Sequence, residues 1–220
     1  MHTEPLYRQI YKRYQLGPAS HMTHIENLSS IVQNSEIRSY NLMAQTTYQK
    51  LSNTDVQGGR AGKTIEVTKK PLHDYVPLYF GHKTPMVAWN QSRNDQFVFI
   101  RFSLNILESG NVVIADGNAR STATRFQIYT QLSDLDLLDP LAINTVKYAH
   151  DADLKRRKQA EILVLDRLPL TNLVDIICFS EEQRARALEI LKQYGKNFKT
   201  QVLPGSWYFT TRPTKGGATP

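Results

Sequence analysis

Cysteine, long apolar runs and the glycine signatures of nucleotide folds are what this sequence lacks. A single cysteine, Cys178, in 220 residues excludes an internal disulfide and any cysteine-based metal cluster. It lies in the apolar run Leu173-Val174-Asp175-Ile176-Ile177-Cys178-Phe179, which reads as a buried strand, so the thiol is expected to be a packing residue. None of the six histidines forms a helical His-Glu-x-x-His pair, and no metal is expected. No stretch approaches the ~20 apolar residues of a membrane span. Residues Met1–Gln15 lack the apolar middle of a secretory signal, so the expectation is a cytoplasmic protein with no membrane partner. Neither a strand–Gly-x-Gly-x-x-Gly–helix unit nor a P-loop occurs, which weighs against a doubly wound dinucleotide fold.

Acidic residues are fewer than basic ones, 20 against 27, for a net charge of +7. That excess favours phosphates or other anions as partners, although charge alone selects none. With 40% hydrophobic residues the chain can bury one proper core, so a single domain over residues 1–212 is expected. The polar, glycine-containing end at residues 213–220 reads as a disordered tail.

The periodicities predict mixed, non-alternating elements, hence an α+β fold. Ile25, Leu28, Ile31 and Val32 predict a short helix over 26–34, and Leu42 to Leu51 a second. Strands are predicted at Val76–Phe80, Phe97–Phe102, Val112–Ala115, Glu161–Leu165 and Val174–Phe179. Phe126, Tyr129 and Leu132 have helical spacing, as does the stretch from Leu141 to Tyr148. Glu181–Tyr194 is predicted as a helix with Ala185, Leu188 and Leu191 on one face, followed by a closing segment Phe198–Leu203.

Three segments carry chemistry. In His21-Met22-Thr23-His24-Ile25-Glu26-Asn27-Leu28, a strand leading into a helix places polar side chains beside free backbone N–H groups, which suit a phosphate or carboxamide; a capped helix start with an incidental histidine is the plainer alternative. In His73-Asp74-Tyr75-Val76-Pro77-Leu78-Tyr79-Phe80, a ring such as Tyr79 could stack on a flat heteroaromatic, and core packing accounts for the same rings. In the third, Lys155-Arg156-Arg157-Lys158 precedes Gln159-Ala160-Glu161. A cationic loop there would bind a polyanion beside a carboxylate fixed at the start of a buried strand. A solvated basic turn neutralised by Glu161 is the alternative.

In this order the segments resemble the DarT-type DNA ADP-ribosyltransferases, toxins of bacterial toxin–antitoxin pairs. The likeness runs from about His21 to Tyr208. A His-x-Thr-His-Ile-x-Asn-Leu opening matches His21 to Leu28, a His-Asp-Tyr-Val-Pro-x-Tyr-Phe strand with a following Pro-Met matches His73 to Phe80 and Pro85-Met86, and Lys-Gln-Ala-Glu matches Lys158 to Glu161. Departures fall at Ser30, where some members have glycine, at Asp116-Gly117-Asn118-Ala119, where many have Asp-Gly-His-Ala, and at Ala149.

The resemblance implies an ADP-ribosyltransferase fold in which two small antiparallel sheets, surrounded by helices, form a cleft for NAD⁺ as co-substrate. It assigns His21, Met22, Thr23, Ser30 and Arg38 to NAD⁺ contact, and Tyr79 is the ring expected, from its place on the aromatic strand, to join them. It makes Glu161 the catalytic acid and Arg60, in Val56-Gln57-Gly58-Gly59-Arg60, the catalytic arginine. The acceptor is expected to be a base in single-stranded DNA held by Lys155, Arg156, Arg157 and Lys158, and a macrodomain antitoxin is the expected cognate partner. RNA or protein as acceptor, or a basic nucleic-acid-binding module without catalysis, are the competing readings.

Overall fold

The computed structural model describes residues 4–44, 46, 48, 49, 59–203 and 208–210. The tail at 213–220, Val56 to Gly58 and part of the helix expected over Leu42–Leu51 lie outside the described residues; Asn41–Ala44 form a turn.

Among the described residues there are twelve strands: β1 (Ala19–His24), β2 (Glu36–Arg38), β3 (Thr64–Ile65), β4 (Lys70–Pro71), β5 (Tyr75–Tyr79), β6 (Phe97–Phe102), β7 (Val112–Ala115), β8 (Phe126–Ile128), β9 (Glu161–Leu165), β10 (Arg167–Pro169), β11 (Leu173–Cys178) and β12 (Thr200–Val202). The α-helices that accompany them include α1 (Leu6–Tyr14), α2 (Leu28–Asn34), α3 (Pro85–Trp89), α4 (Pro140–Asn144), α5 (Ala152–Arg157) and α6 (Glu181–Gln193).

Eight strands form one sheet in the order β12-β11-β6-β1-β5-β9-β7-β8, and β2/β10 and β3/β4 form two small antiparallel pairs. The large sheet is two four-stranded halves joined narrowly: β1 and β5 share only the pair Ser20↔Tyr79, whereas β1 pairs with β6 along its whole length. Pro77 accounts for the gap. The N–H and C=O of a strand residue point to the same side, proline has no N–H, and a ladder cannot run through it. Its carbonyl accepts instead from His21 Nδ1 at 2.9 Å. The two sheets expected from the family resemblance are thus halves of one sheet, antiparallel except for the parallel pair β11/β12.

Alternation along the strands decides which residues meet the main core. Val76 and Leu78 of β5 and Ile162 and Val164 of β9 enter it, while Tyr75 and Leu163 belong to a separate cluster on the opposite face. By the same period of two, Glu161 and Tyr79 lie on that opposite face, away from the main core.

Several elements differ from the sequence expectations. Helix α1, for which no element was expected, buries Ile10 and Tyr14 one turn apart. Phe126–Ile128 is a strand on β7, not a helix, so its spacing of three reflects a strand end followed by a 3-10 turn. Of Leu141–Tyr148 only α4 is helical, started by Asp139 accepting from Ala142 N–H. On α6 the buried face is Gln183, Ala187 and Leu191, with Ala185 and Leu188 exposed. Gln183 belongs there because its amide is satisfied, donating to the carbonyl of Asp95 (2.8 Å) and accepting from Phe179 N–H (2.7 Å). The buried Cys178 is as expected, and burial pushes its thiol up to about 12.

Candidate active site

Glu161 opens β9, with Tyr79 across on β5 and Ala115 on β7. Only 1% of it is exposed, so its charge has to be met by protein groups. Oε1 accepts from the Ala119 N–H at 2.9 Å. Oε2 accepts from Arg60 Nη1 at 3.2 Å and Nη2 at 3.3 Å.

The Ala119 N–H is delivered by a loop that α5 clamps from below. Asp116 accepts from Arg156 Nη1 (2.6 Å) and from Arg125 Nε (3.0 Å), and Asn118 donates to the side chain of Gln159 (3.1 Å). A Cβ at Gly117 would meet Arg156 Nη1 at 2.6 Å and its carbonyl oxygen at 2.8 Å, so glycine is needed for the loop to lie this close. The residues just before Glu161 therefore place the hydrogen-bond donor that holds it.

A cleft of about 200 Å³ opens where the half-sheets part, and His21, Met22, Thr23, Ser30, Arg38 and Arg60 all line it. The structure thus brings together five of the six residues expected at NAD⁺ with the candidate arginine. Glu161 and Tyr79 sit behind this wall, reached through Arg60; the Tyr79 hydroxyl contacts Met86 Sδ at 3.7 Å, and burial beside Glu161 raises its pKa. Burial lowers the pKa of His21. Since the Pro77 carbonyl can only accept, the neutral ring donates through Nδ1 and keeps a lone pair on Nε2.

Residues that the sequence reading did not single out complete the walls. Asn27 donates to the carbonyl of Gln49 and accepts from its N–H, both at 2.8 Å, fixing that segment beside the cleft. Its place in the His21–Leu28 segment was the available signal. The ring of Tyr40 stacks on His73 with centroids 4.2 Å apart. His73 is buried and its Nε2 has no hydrogen-bond partner among the described residues. Such an orphan calls for a partner, and a dinucleotide rich in hydroxyl and amide groups can supply one. Arg38 and Arg60 suit a diphosphate, while the acid on this wall, Glu36, is held by Arg38 (2.7 Å) and Arg167 (2.5 Å). The lining residues fit NAD⁺. Among the described residues no group of three or more His, Cys, Asp or Glu is arranged to hold a metal ion.

The basic cluster is a helix end rather than a loop. Lys155 is exposed, but Arg156 pairs with Asp116 and Asp153, and Arg157 with Asp139 and Asp153. Lys158 is fully buried, its ammonium donating to the Ile143 carbonyl at 2.5 Å. Burial and the neighbouring Lys83 lower its pKa to about 8. A Cβ at Gly81 would meet that same carbonyl at 2.7 Å. In this arrangement Lys158 is an internal strut.

Known proteins resemble this chain over most of its length. A DNA ADP-ribosyl transferase of Escherichia coli O127:H6 is 29% identical over 203 residues, 86% of this chain and 92% of that protein. The structure of Thermus sp. 2.9 DarT in complex with ADP-ribosylated ssDNA is 25% identical and superposes with a TM-score of 0.80, covering 89% of this chain and 97% of that one. The same Thermus protein in complex with carba-NAD⁺ gives a TM-score of 0.75 at 25% identity, over 87% of this chain and 97% of that one. No helix among the described residues is long and apolar enough to cross a membrane. The family profile described as "ssDNA thymidine ADP-ribosyltransferase, DarT" matches residues 20–209, and the chain belongs to that family.

Proposed function

We propose that this chain transfers ADP-ribose from NAD⁺ to thymine in single-stranded DNA, with Glu161 as the catalytic acidic residue and Arg60 beside it. One observation carries the assignment: a buried carboxylate is fixed through one oxygen by Ala119 N–H, while its other oxygen is held by an arginine that lines the cleft.

The chemistry requires the bond between nicotinamide and its ribose carbon to break, with nicotinamide leaving as a neutral molecule and positive charge developing on the ribose. A base nitrogen then bonds that carbon and passes its proton to the Glu161 carboxylate. Thymine in DNA has one ring N–H, at N3, which makes N3 the attacking atom. Glu161 stabilises the ribosyl charge and holds a ribose hydroxyl, a task that a preorganised, water-excluded carboxylate performs without reorganisation. Arg60 orients phosphates or the incoming base. His21, Met22, Thr23, Ser30 and Arg38 hold the dinucleotide, with the His21 Nε2 lone pair available to a hydroxyl, and Tyr79 backs Glu161 and Met86. Of the basic cluster, Lys155 is the side chain placed to meet DNA. The family likeness further supports a cytoplasmic toxin paired with a macrodomain antitoxin that removes the modification.

Labelled NAD⁺ offered separately with single-stranded DNA, RNA and protein tests the acceptor. Label is expected in thymidine-containing DNA. Label in RNA or protein alone contradicts it, and DNA retention without nicotinamide release reduces the chain to a binding module.

A further inference from the structure

We infer that the groove on the outer side of α3 holds the DNA strand flanking the target base, with Trp89 as a stacking platform and Lys147 and Lys155 as phosphate contacts. The inference rests on the reading of the chain as a DNA ADP-ribosyltransferase and assigns a second region of its acceptor site.

Helix α3 divides two cavities. Met86 faces the dinucleotide cleft, whereas Pro85, Ala88 and Trp89, three and four residues apart and so on one side of the helix, face a groove of about 820 Å³. Val87 makes the helix's core contact, at 2% exposure. Trp89, 70% exposed, is not needed for that packing, and an indole face so displayed is suited to stacking on a base.

The opposite wall is residues 146–151 with Lys155. Lys147 and Lys155 are exposed, and neither forms an ion pair among the described residues. Asp151, the acid on this wall, is committed to capping α5, accepting from the N–H groups of Asp153 and Leu154 at 2.9 Å each. The groove therefore offers two exposed cations and an aromatic face against a single carboxylate that is turned by one oxygen to the start of α5, a balance that suits single-stranded nucleic acid. A helix about 10 Å across separates it from the cleft, a distance that about three stacked nucleotides span at roughly 3.4 Å each. A strand whose target base enters the cleft would bring a base about three nucleotides away to Trp89.

Fluorescence anisotropy of a labelled thymidine-containing oligonucleotide with the full chain, together with KM for DNA and for NAD⁺, tests this. Trp89→Ala is expected to weaken binding roughly 5- to 100-fold and raise the KM for DNA in step. Trp89→Phe should stay close to the parent, and the KM for NAD⁺ should not move. Replacing Lys147 and Lys155 together should flatten the salt dependence by about 1.4, at roughly 0.7 per phosphate on a single strand. A parent that modifies DNA while Trp89→Ala binds and reacts as the parent does overturns the groove alone. A parent that transfers nothing to DNA overturns the proposed function, and the groove with it. A Trp89→Ala chain with altered oligomeric state and parental DNA affinity would instead assign the groove to a second copy.

Discussion

Two buried arginine–carboxylate pairs occupy the two halves of the sheet, and they are built differently. In the half that carries β6 and β11, Arg101 meets both oxygens of Asp175 at 2.5 Å, and Tyr208 and Gln201 add further hydrogen bonds at 3.0 and 2.7 Å. In the half that carries β5 and β9, Arg60 reaches a single oxygen of Glu161 at 3.2 and 3.3 Å. The bidentate pair has short, directed bonds and supporting partners, which is the geometry of a structural tie. The longer contact lies at the wall of a cleft, and Glu161 can exchange Arg60 for a substrate hydroxyl while Ala119 N–H still holds it. On the proposed reading, similar residues fasten one half-sheet and react in the other.

The largest effect that would separate the pairs is on turnover. Glu161→Ala is expected to lower ADP-ribosyl transfer roughly 10²–10⁴-fold with DNA affinity largely kept; near-parental turnover would erase the distinction. Arg60→Ala should reduce transfer roughly 10²-fold through lost positioning, which single-turnover assays at saturating NAD⁺ would register. Asp175→Ala should act on the fold instead. Removing one partner of a buried pair is expected to destabilise by about 3–5 kcal/mol, read by urea unfolding, with transfer by the folded fraction unchanged. A loss of turnover without loss of stability would assign Asp175 to the chemistry.

The smallest effect concerns a buried charge with no carboxylate partner among the described residues. Lys158 titrates near 8 in the folded chain, down from 10.5, so between those values the unfolded chain binds more protons and stability rises with pH. The penalty is present in full below 8 and is relieved towards 10.5. Lys158→Met should remove that rise, seen as a melting temperature whose difference from the parent shrinks as pH increases over this window. An identical pH dependence in both chains would show that the ammonium is not desolvated.

What could be read from the sequence was local. The strand-to-helix run at His21–Leu28 and the strand opened by Glu161 are periodic segments with recognisable residue order, and the fold places both as expected. The role of the basic cluster could not be read, because Arg156 and Lys158 have the same letters whether they face water or partners such as Asp116, 40 residues away. Gln183 was missed for the same reason: a buried polar side chain is recognisable only by its bonds. The parting of the sheet at Ser20↔Tyr79 depends on Pro77 facing β1 rather than solvent, which pairing decides and composition does not.

Mass spectrometry of a thymidine-containing single strand, incubated with NAD⁺ and either the parent chain or folded Glu161→Gln, bears most directly on the difference between the two pairs. The parent should add one ADP-ribosyl group at thymidine and the variant should leave the strand unmodified while melting close to the parent. Equal modification by both chains would mean that the carboxylate at position 161 takes no part in the transfer.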